Sequence, residues 1–327
     1  MCLFPKLIHN PKYRATKKNG GIIPPISDIR VKEVPIGCGK CIECLKQKAN
    51  NWKTRLHEEV KKGNKGYFVT LTFDPIELEK LMLECNKKEL KLFEDYDLDN
   101  RVSTLAVRRF LERWRKKFKK SVRHFFVNEI GGNNTEGLHL HGFIWTEHDP
   151  KCIREIWQYG WTYPDDFSKN TVENRTVNYV VKYILKVDTE HPNFRPKIFC
   201  SAGLGDNWAD SHEAKKIARN KSLEYDCYRM PKGQKVSLPV YYRNKVYSEE
   251  DREKLWLERL DKNERYILGV KVKVDKGYEE YFEGLIGARE MNKRLGYGGD
   301  ETDNDKLEYE KALRRLKQEE KIKKRNI

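Results

Sequence analysis

A chain of 327 residues and 38.9 kDa, with 38% apolar and 11% aromatic residues, has enough apolar sequence to fold around a core and is not of disordered composition. Sixty-six Lys and Arg against 50 Asp and Glu leave a net charge of +16, which points to a polyanionic partner. No apolar run approaches a membrane span, and the opening MCLFPKLIHNPKYR lacks the apolar stretch of a signal peptide, so the expected setting is the cytosol, with no membrane partner.

The first 37 residues, with Pro5, Pro11, Pro24, Pro25 and Pro35 and several glycines, read as loop. CGKCIEC then sets Cys38, Cys41 and Cys44 at intervals of three. Eight cysteines in a reducing compartment are not a disulfide framework. Cys-x-x-Cys-x-x-Cys suggests thiolate ligation of a structural zinc, with an iron–sulfur cluster a distant second. Cys2 is the expected fourth ligand and His57 its competitor; the alternative is free cysteines packed near a helix start.

KQKANNWKTRLHEEVKKG reads as a helix ending near Gly63, and KGYFVTLTFDP as a strand that stops at Asp74-Pro75. Over 101–120, Val107, Leu111, Trp114 and Phe118 recur at helical spacing. The other face is basic, with ten Lys or Arg and one acid, Glu112, between Arg101 and Arg123. Arg108, Arg109, Arg113, Lys116 and Lys120 are its candidate phosphate contacts; an ordinary solvated face is the alternative.

Two strands follow, VRHFFVNEI and LHLHGFIW, joined by GGNNTEG, a linker suited to a hairpin, and then helical pieces near 150–158 and 173–187. Strand, helix, strand, strand, helix is the order of a split β-α-β domain: an α+β fold with an antiparallel sheet. Residues 192–245 read as loop with short strands, KVSLPVYYRNKVY among them, and from about 248 the chain is charged and helical. The expected division is a Cys-rich segment and helix over 1–60, a core domain over 61–245 and a helical region over 246–327.

Residues two apart on a strand share a face about 7 Å apart, so His139 and His141 can converge on one cation. Glu129, on the preceding strand, falls opposite the pair once the hairpin folds, and completes a half-shell of two imidazoles and a carboxylate. Downstream, NYVVKYILK repeats Tyr-x-x-Lys: Tyr179 and Tyr183 lie four apart, about 6 Å on one helix face, and Lys182 and Lys186 follow them. The bland alternative is an amphipathic helix with half-buried tyrosines and solvated lysines. Beside a divalent metal, a phenol is a candidate nucleophile and a lysine can offset developing charge.

FVTLTFDP, HLHGFIW and YVVKYILK, in that order, resemble the motifs of HUH endonucleases, and most closely the replication-initiation proteins of the gokushovirus branch of the Microviridae. CGKCIEC with Trp52 and Arg55, CSAGLG, and the stretch Gly233 to Pro239 resemble that branch too, so that the similarity spans roughly residues 1–245. The resemblance implies an HUH nuclease core of βαββα order. It also implies Mg or Mn held by His139, His141 and, less securely, Glu129, with Tyr179 and Tyr183 as nucleophiles. It implies single-stranded origin DNA as substrate, nicked and religated in rolling-circle replication, in the cytoplasm of a bacterial host. No Gly-x-x-x-x-Gly-Lys-Ser/Thr loop occurs, so unwinding falls to a host helicase, and synthesis to a polymerase. A plasmid initiator or an HUH transposase fits the same motifs. A non-haem iron enzyme or a non-enzymatic single-strand binder fits only parts of them.

Overall fold

The computed structural model describes residues 1–87, 95–131, 136–167, 170–187, 190–230, 233–299 and 304–325. In chain order the elements begin with β1 (Lys6–His9), β2 (Glu33–Ile36), α1 (Ile42–Lys61), β3 (Gly66–Thr72), α2 (Pro75–Lys87) and α3 (Asp95–Phe118). Next come β4 (Arg123–Ile130), β5 (Leu138–Trp145), α4 (Lys151–Trp157), β6 (Thr162–Tyr163), α5 (Asn174–Leu185) and β7 (Ile198–Cys200). The rest are α6 (His212–Asn220), β8 (Cys227–Arg229), β9 (Lys235–Ser237), α7 (Val240–Val246), α8 (Glu249–Asp261), β10 (Glu264–Ile267), β11 (Val270–Lys273), α9 (Glu279–Arg294) and α10 (Asn304–Arg325). The fold is mixed α+β with antiparallel sheets and a Cys-rich N-terminus. No described helix is long and apolar enough to cross a membrane.

The chain forms two compact units that interleave in sequence: residues 1–54 with 207–302, and residues 55–206 with 303–327. The second is built on a five-stranded sheet in the order β6-β3-β5-β4-β7, every neighbouring pair antiparallel. Alternation does the sorting. Val69 and Leu71, Phe126 and Ile130, and Leu138, Leu140 and Ile144 turn to one face and join one core with Val107, Phe110 and Trp114 of α3. Phe110 meets Phe126 edge-on at 6.4 Å. Along the stripe expected over 101–120, Val107 and Trp114 are buried, while Leu111 and Phe118 pack at the core's margin. The turn glycines and asparagines expected between β4 and β5 fall at 132–135, outside the described residues.

The CSAGLG stretch is read by its backbone. Arg123 clamps Glu59 with both guanidinium arms and also donates to the Gly203 carbonyl at 2.7 Å. Glu59 accepts from the Gly205 N–H at 2.8 Å, and Arg55 donates to the Leu204 carbonyl at 3.0 Å. Gly203 and Gly205, at φ of 68° and 70°, supply the left-handed turns that aim those groups inward.

The C-terminal helix is not merely an appended, solvated tail. Arg314 of α10 is buried and grips Asp99 of α3, and Glu310 takes the Tyr96 hydroxyl, so α10 belongs to the sheet's unit.

In the other unit, β1 and β2 pair within the segment expected to be loop. VYYRNKV, expected to be extended, is helix α7: it starts after Pro239 and buries Tyr242, which stacks on Trp208 at 4.3 Å. Burial of that ring outweighs the strand preference of aromatic and β-branched residues. The region after 248 also holds a hairpin the charge pattern hides, β10–β11, turned by Leu268 and Gly269 at φ of 50° and 90°.

Candidate active site

The histidines stand on the sheet face opposite α3. His139 lies between Thr72 and Glu129, and His141 between Thr70 and Val127. Paired residues across antiparallel strands point the same way, so Glu129, Thr70, Thr72 and both imidazoles share this face. Glu129 Oε2 sits 3.0 Å from His141 Nε2, and Thr70 Oγ1 lies 2.9 Å from His141 Nδ1, so both ring nitrogens of His141 are oriented. Lys186 pairs with the other oxygen of Glu129. Burial works to raise the Glu129 carboxyl, but hydrogen bonds from His141 and Lys186 overcome it and hold the group below the usual carboxylate range. Gly142 is the small residue this packing needs. A Cβ there would stand 1.9 Å from the Phe125 carbonyl oxygen of β4.

Helix α5 brings the tyrosines over this face. Val177, Val180, Val181 and Ile184, at helical spacing, are buried and seat the helix. The Tyr183 hydroxyl donates to the Tyr179 hydroxyl at 2.7 Å, so the two phenols share a helix face and touch. The Tyr183 ring stacks on His141, centroids 4.2 Å apart and planes within 4°, while Tyr179 meets Phe68 edge-on at 5.7 Å. Tyr179 is 47% exposed; Tyr183 is half-buried, and burial, then the Tyr179 hydroxyl and the Glu129 charge, push its phenol well above the usual tyrosine range. Lys182 and Lys186 are exposed on the same helix and its cap.

Two oxygen nucleophiles, two imidazoles, a carboxylate and two lysines thus converge. The donor set of Glu129, His139 and His141, one hard oxygen ligand with two borderline nitrogens on one face, suits a divalent cation in kind. The Glu129 carboxylate is shared between His141 and Lys186.

A tighter ligand group lies in the unit of residues 1–54 and 207–302. The sulfurs of Cys2, Cys38, Cys41 and Cys44 all lie within 4.8 Å of one another, the one such group of metal-capable residues among those described. Cys2 is therefore the fourth member, and His57 is bonded at 2.5 Å to Asn174. Backbone N–H groups of Phe4 and Cys38 point at the Cys2 sulfur, at 3.3 and 3.2 Å, and that of Cys41 points at the Cys38 sulfur at 3.3 Å. The Cys44 thiol, hydrogen-bonding Cys41, draws Cys41 down to about 4 and is itself pushed up. Four sulfurs so close, cradled by amides, can hold a structural metal such as zinc.

The basic helix lies elsewhere. Its apolar stripe packs on the sheet face away from the histidines. Arg108 pairs with Glu112 at 2.9 Å and Arg109 with Glu84 at 2.6 Å. Arg113 donates to the Ile156 and Trp157 carbonyls at 2.8 and 2.7 Å and lies over Tyr159. Lys116 and Lys120 are exposed. Thr70 and Lys186 as partners of the histidine–carboxylate pair were the contacts hardest to read from the chain; the one hint was that Thr70 and Thr72 alternate with buried Val69 and Leu71.

No curated protein and no solved structure matches the chain. A family model described as replication-associated protein ORF2 matches residues 66–188, from the first strand of the five-stranded sheet past the tyrosine helix, a similarity consistent with a rolling-circle replication initiator.

Proposed function

We propose that this chain initiates rolling-circle replication by nicking single-stranded origin DNA through a tyrosine and later resealing unit-length circles. The observation that carries the proposal is Tyr183 stacked on His141, with its hydroxyl on Tyr179 and Glu129 at the same imidazole. The family similarity over 66–188 covers these residues and supports the same reading.

His139, His141 and Glu129 would hold Mg or Mn, which when bound supplies positive charge to a phosphoryl oxygen. The phenol oxygen of one tyrosine attacks the scissile phosphorus, forming a 5′-phosphotyrosine as the P–O3′ bond breaks. The phenolic proton is released, and the departing oxygen takes one up to become a free 3′-OH. Lys182 and Lys186 offset the charge that develops on the phosphate. The second tyrosine, already within a hydrogen bond of the first, cuts the regenerated origin while the first is occupied. The new 3′-OH then attacks the first phosphotyrosine and closes the circle. A host helicase and polymerase complete the cycle, and a zinc on Cys2, Cys38, Cys41 and Cys44 is assigned a structural role.

Incubation with viral-origin single-stranded DNA and Mg or Mn tests this. A nick and a denaturant-resistant protein–DNA adduct are expected, both lost in His141→Ala and in EDTA, while DNA binding persists through Lys and Arg contacts. Nicking at the normal rate by His141→Ala in EDTA refutes the metal assignment.

A further inference from the structure

The free edge of the five-stranded sheet carries two aromatic side chains that pack against little. Trp161 is 74% exposed and Tyr163, on β6, is 60% exposed. Register fixes where they point. Tyr163 pairs with Thr70, which pairs with His141, so Tyr163 stands on the histidine face, two strands from His141. Its neighbour Thr162 pairs with Leu71 and is buried on the other side. Trp161 is in phase with Tyr163, and it is locked to Thr72: its N–H donates to Thr72 Oγ1 and its carbonyl accepts from the Thr72 N–H, both at 2.9 Å. Thr72 in turn pairs with His139. Each histidine row therefore ends at the sheet edge in an exposed aromatic ring, about 10 Å away at the usual strand spacing.

The edge is held in place: Arg154 donates to Thr162 Oγ1 at 3.2 Å. Two large rings kept in water on a rigid edge suit a partner that brings its own flat π faces. Next to a site read as acting on nucleic acid, in a chain of net charge +16, that partner is an unpaired nucleobase. Bases stacked inside a duplex offer no free face. We infer that Trp161 and Tyr163 form a stacking platform for unpaired bases beside the scissile phosphate. This rests on the nicking proposal for the location of that phosphate, but not for the binding itself.

Fluorescence anisotropy with a labelled oligo(dT), in EDTA so that no cleavage intervenes, tests it. Trp161→Ala should weaken binding about tenfold, and Trp161→Phe should recover most of the loss. A backbone of the same length and charge carrying abasic sites should bind the unaltered protein about tenfold more weakly, and should no longer distinguish it from Trp161→Ala. A duplex should bind both proteins alike. Binding of oligo(dT) by Trp161→Ala/Tyr163→Ala within twofold of the unaltered protein overturns the platform, as does an undiminished Trp161→Ala deficit on the abasic strand. Should the double variant misfold, the abasic strand against the unaltered protein decides alone. Adduct formation with unchanged binding in the variants leaves the nicking proposal standing without the platform. Lost binding in the variants, with no adduct from the unaltered protein, leaves the reverse.

Discussion

Arg123→Met should destabilise the unit that carries the tyrosines. The Glu59 side chain is wholly buried, Arg123 binds it with both arms and is 27% exposed, and Lys62 stands 3.3 Å from the carboxylate. Removing one partner of a buried pair costs roughly 3–5 kcal/mol, because the remaining charge is left uncompensated. Lys62 and the Gly205 N–H remain, so the lower end applies, about 3 kcal/mol, which for a unit of this size is a fall in Tm of roughly 6–12 °C. The pH dependence has a definite sign. Burial works to raise Glu59, and Arg123, Gly205 and Lys62 overcome it, holding it below the usual range. The stabilisation is present above the unfolded carboxylate pKa, about 4.3, and is lost as pH falls through the lower folded value. The deficit of Arg123→Met should therefore be full at neutral pH and shrink in acid. Adding Glu59→Gln should recover part of it by removing the buried charge. Thermal unfolding followed by circular dichroism reads all three. A variant melting within about 2 °C of the parent at neutral pH, or a deficit that grows in acid, refutes the reasoning.

Tyr179→Phe and Tyr183→Phe should each still form some adduct on an oligonucleotide and the double variant none; one dead single variant beside one fully active through repeated rounds would mean a single nucleophile. Purified protein should carry about one zinc that survives dialysis, and Cys41→Ser should lower folding yield together with metal content; well-folded protein without zinc, measured by metal analysis, contradicts this. Neutralising Lys116 and Lys120 should flatten the salt dependence of DNA binding only if the far sheet face also contacts phosphates, whereas Arg113→Ala should act through stability, since its guanidinium is committed to the Ile156 and Trp157 carbonyls. Gly142→Ala should unfold at lower temperature than any neighbouring conservative change, because its Cβ would meet a backbone oxygen on a paired strand.

What the chain determined by itself was set by local periodicity. A period of two put His139 and His141 on one face, a period of 3.6 put Tyr179 and Tyr183 on another, and the hairpin made Glu129 a direct partner of His139, because adjacent antiparallel strands pair residues close in sequence. The basic stripe over 101–120 was equally legible, but not its side of the sheet. Tertiary packing decided that, and it turned α3 away from the histidines because its apolar stripe had to meet Phe126 and Leu140. Only packing laid Tyr183 on His141, bent Lys186 to Glu129, and brought Glu59, Arg123 and Gly205 together from positions far apart in the chain. The helix over Val240–Val246 and the burial of Arg314 belong to the same class. Propensity and spacing act over a few residues. Which faces meet depends on long-range burial, whose partners no local pattern names.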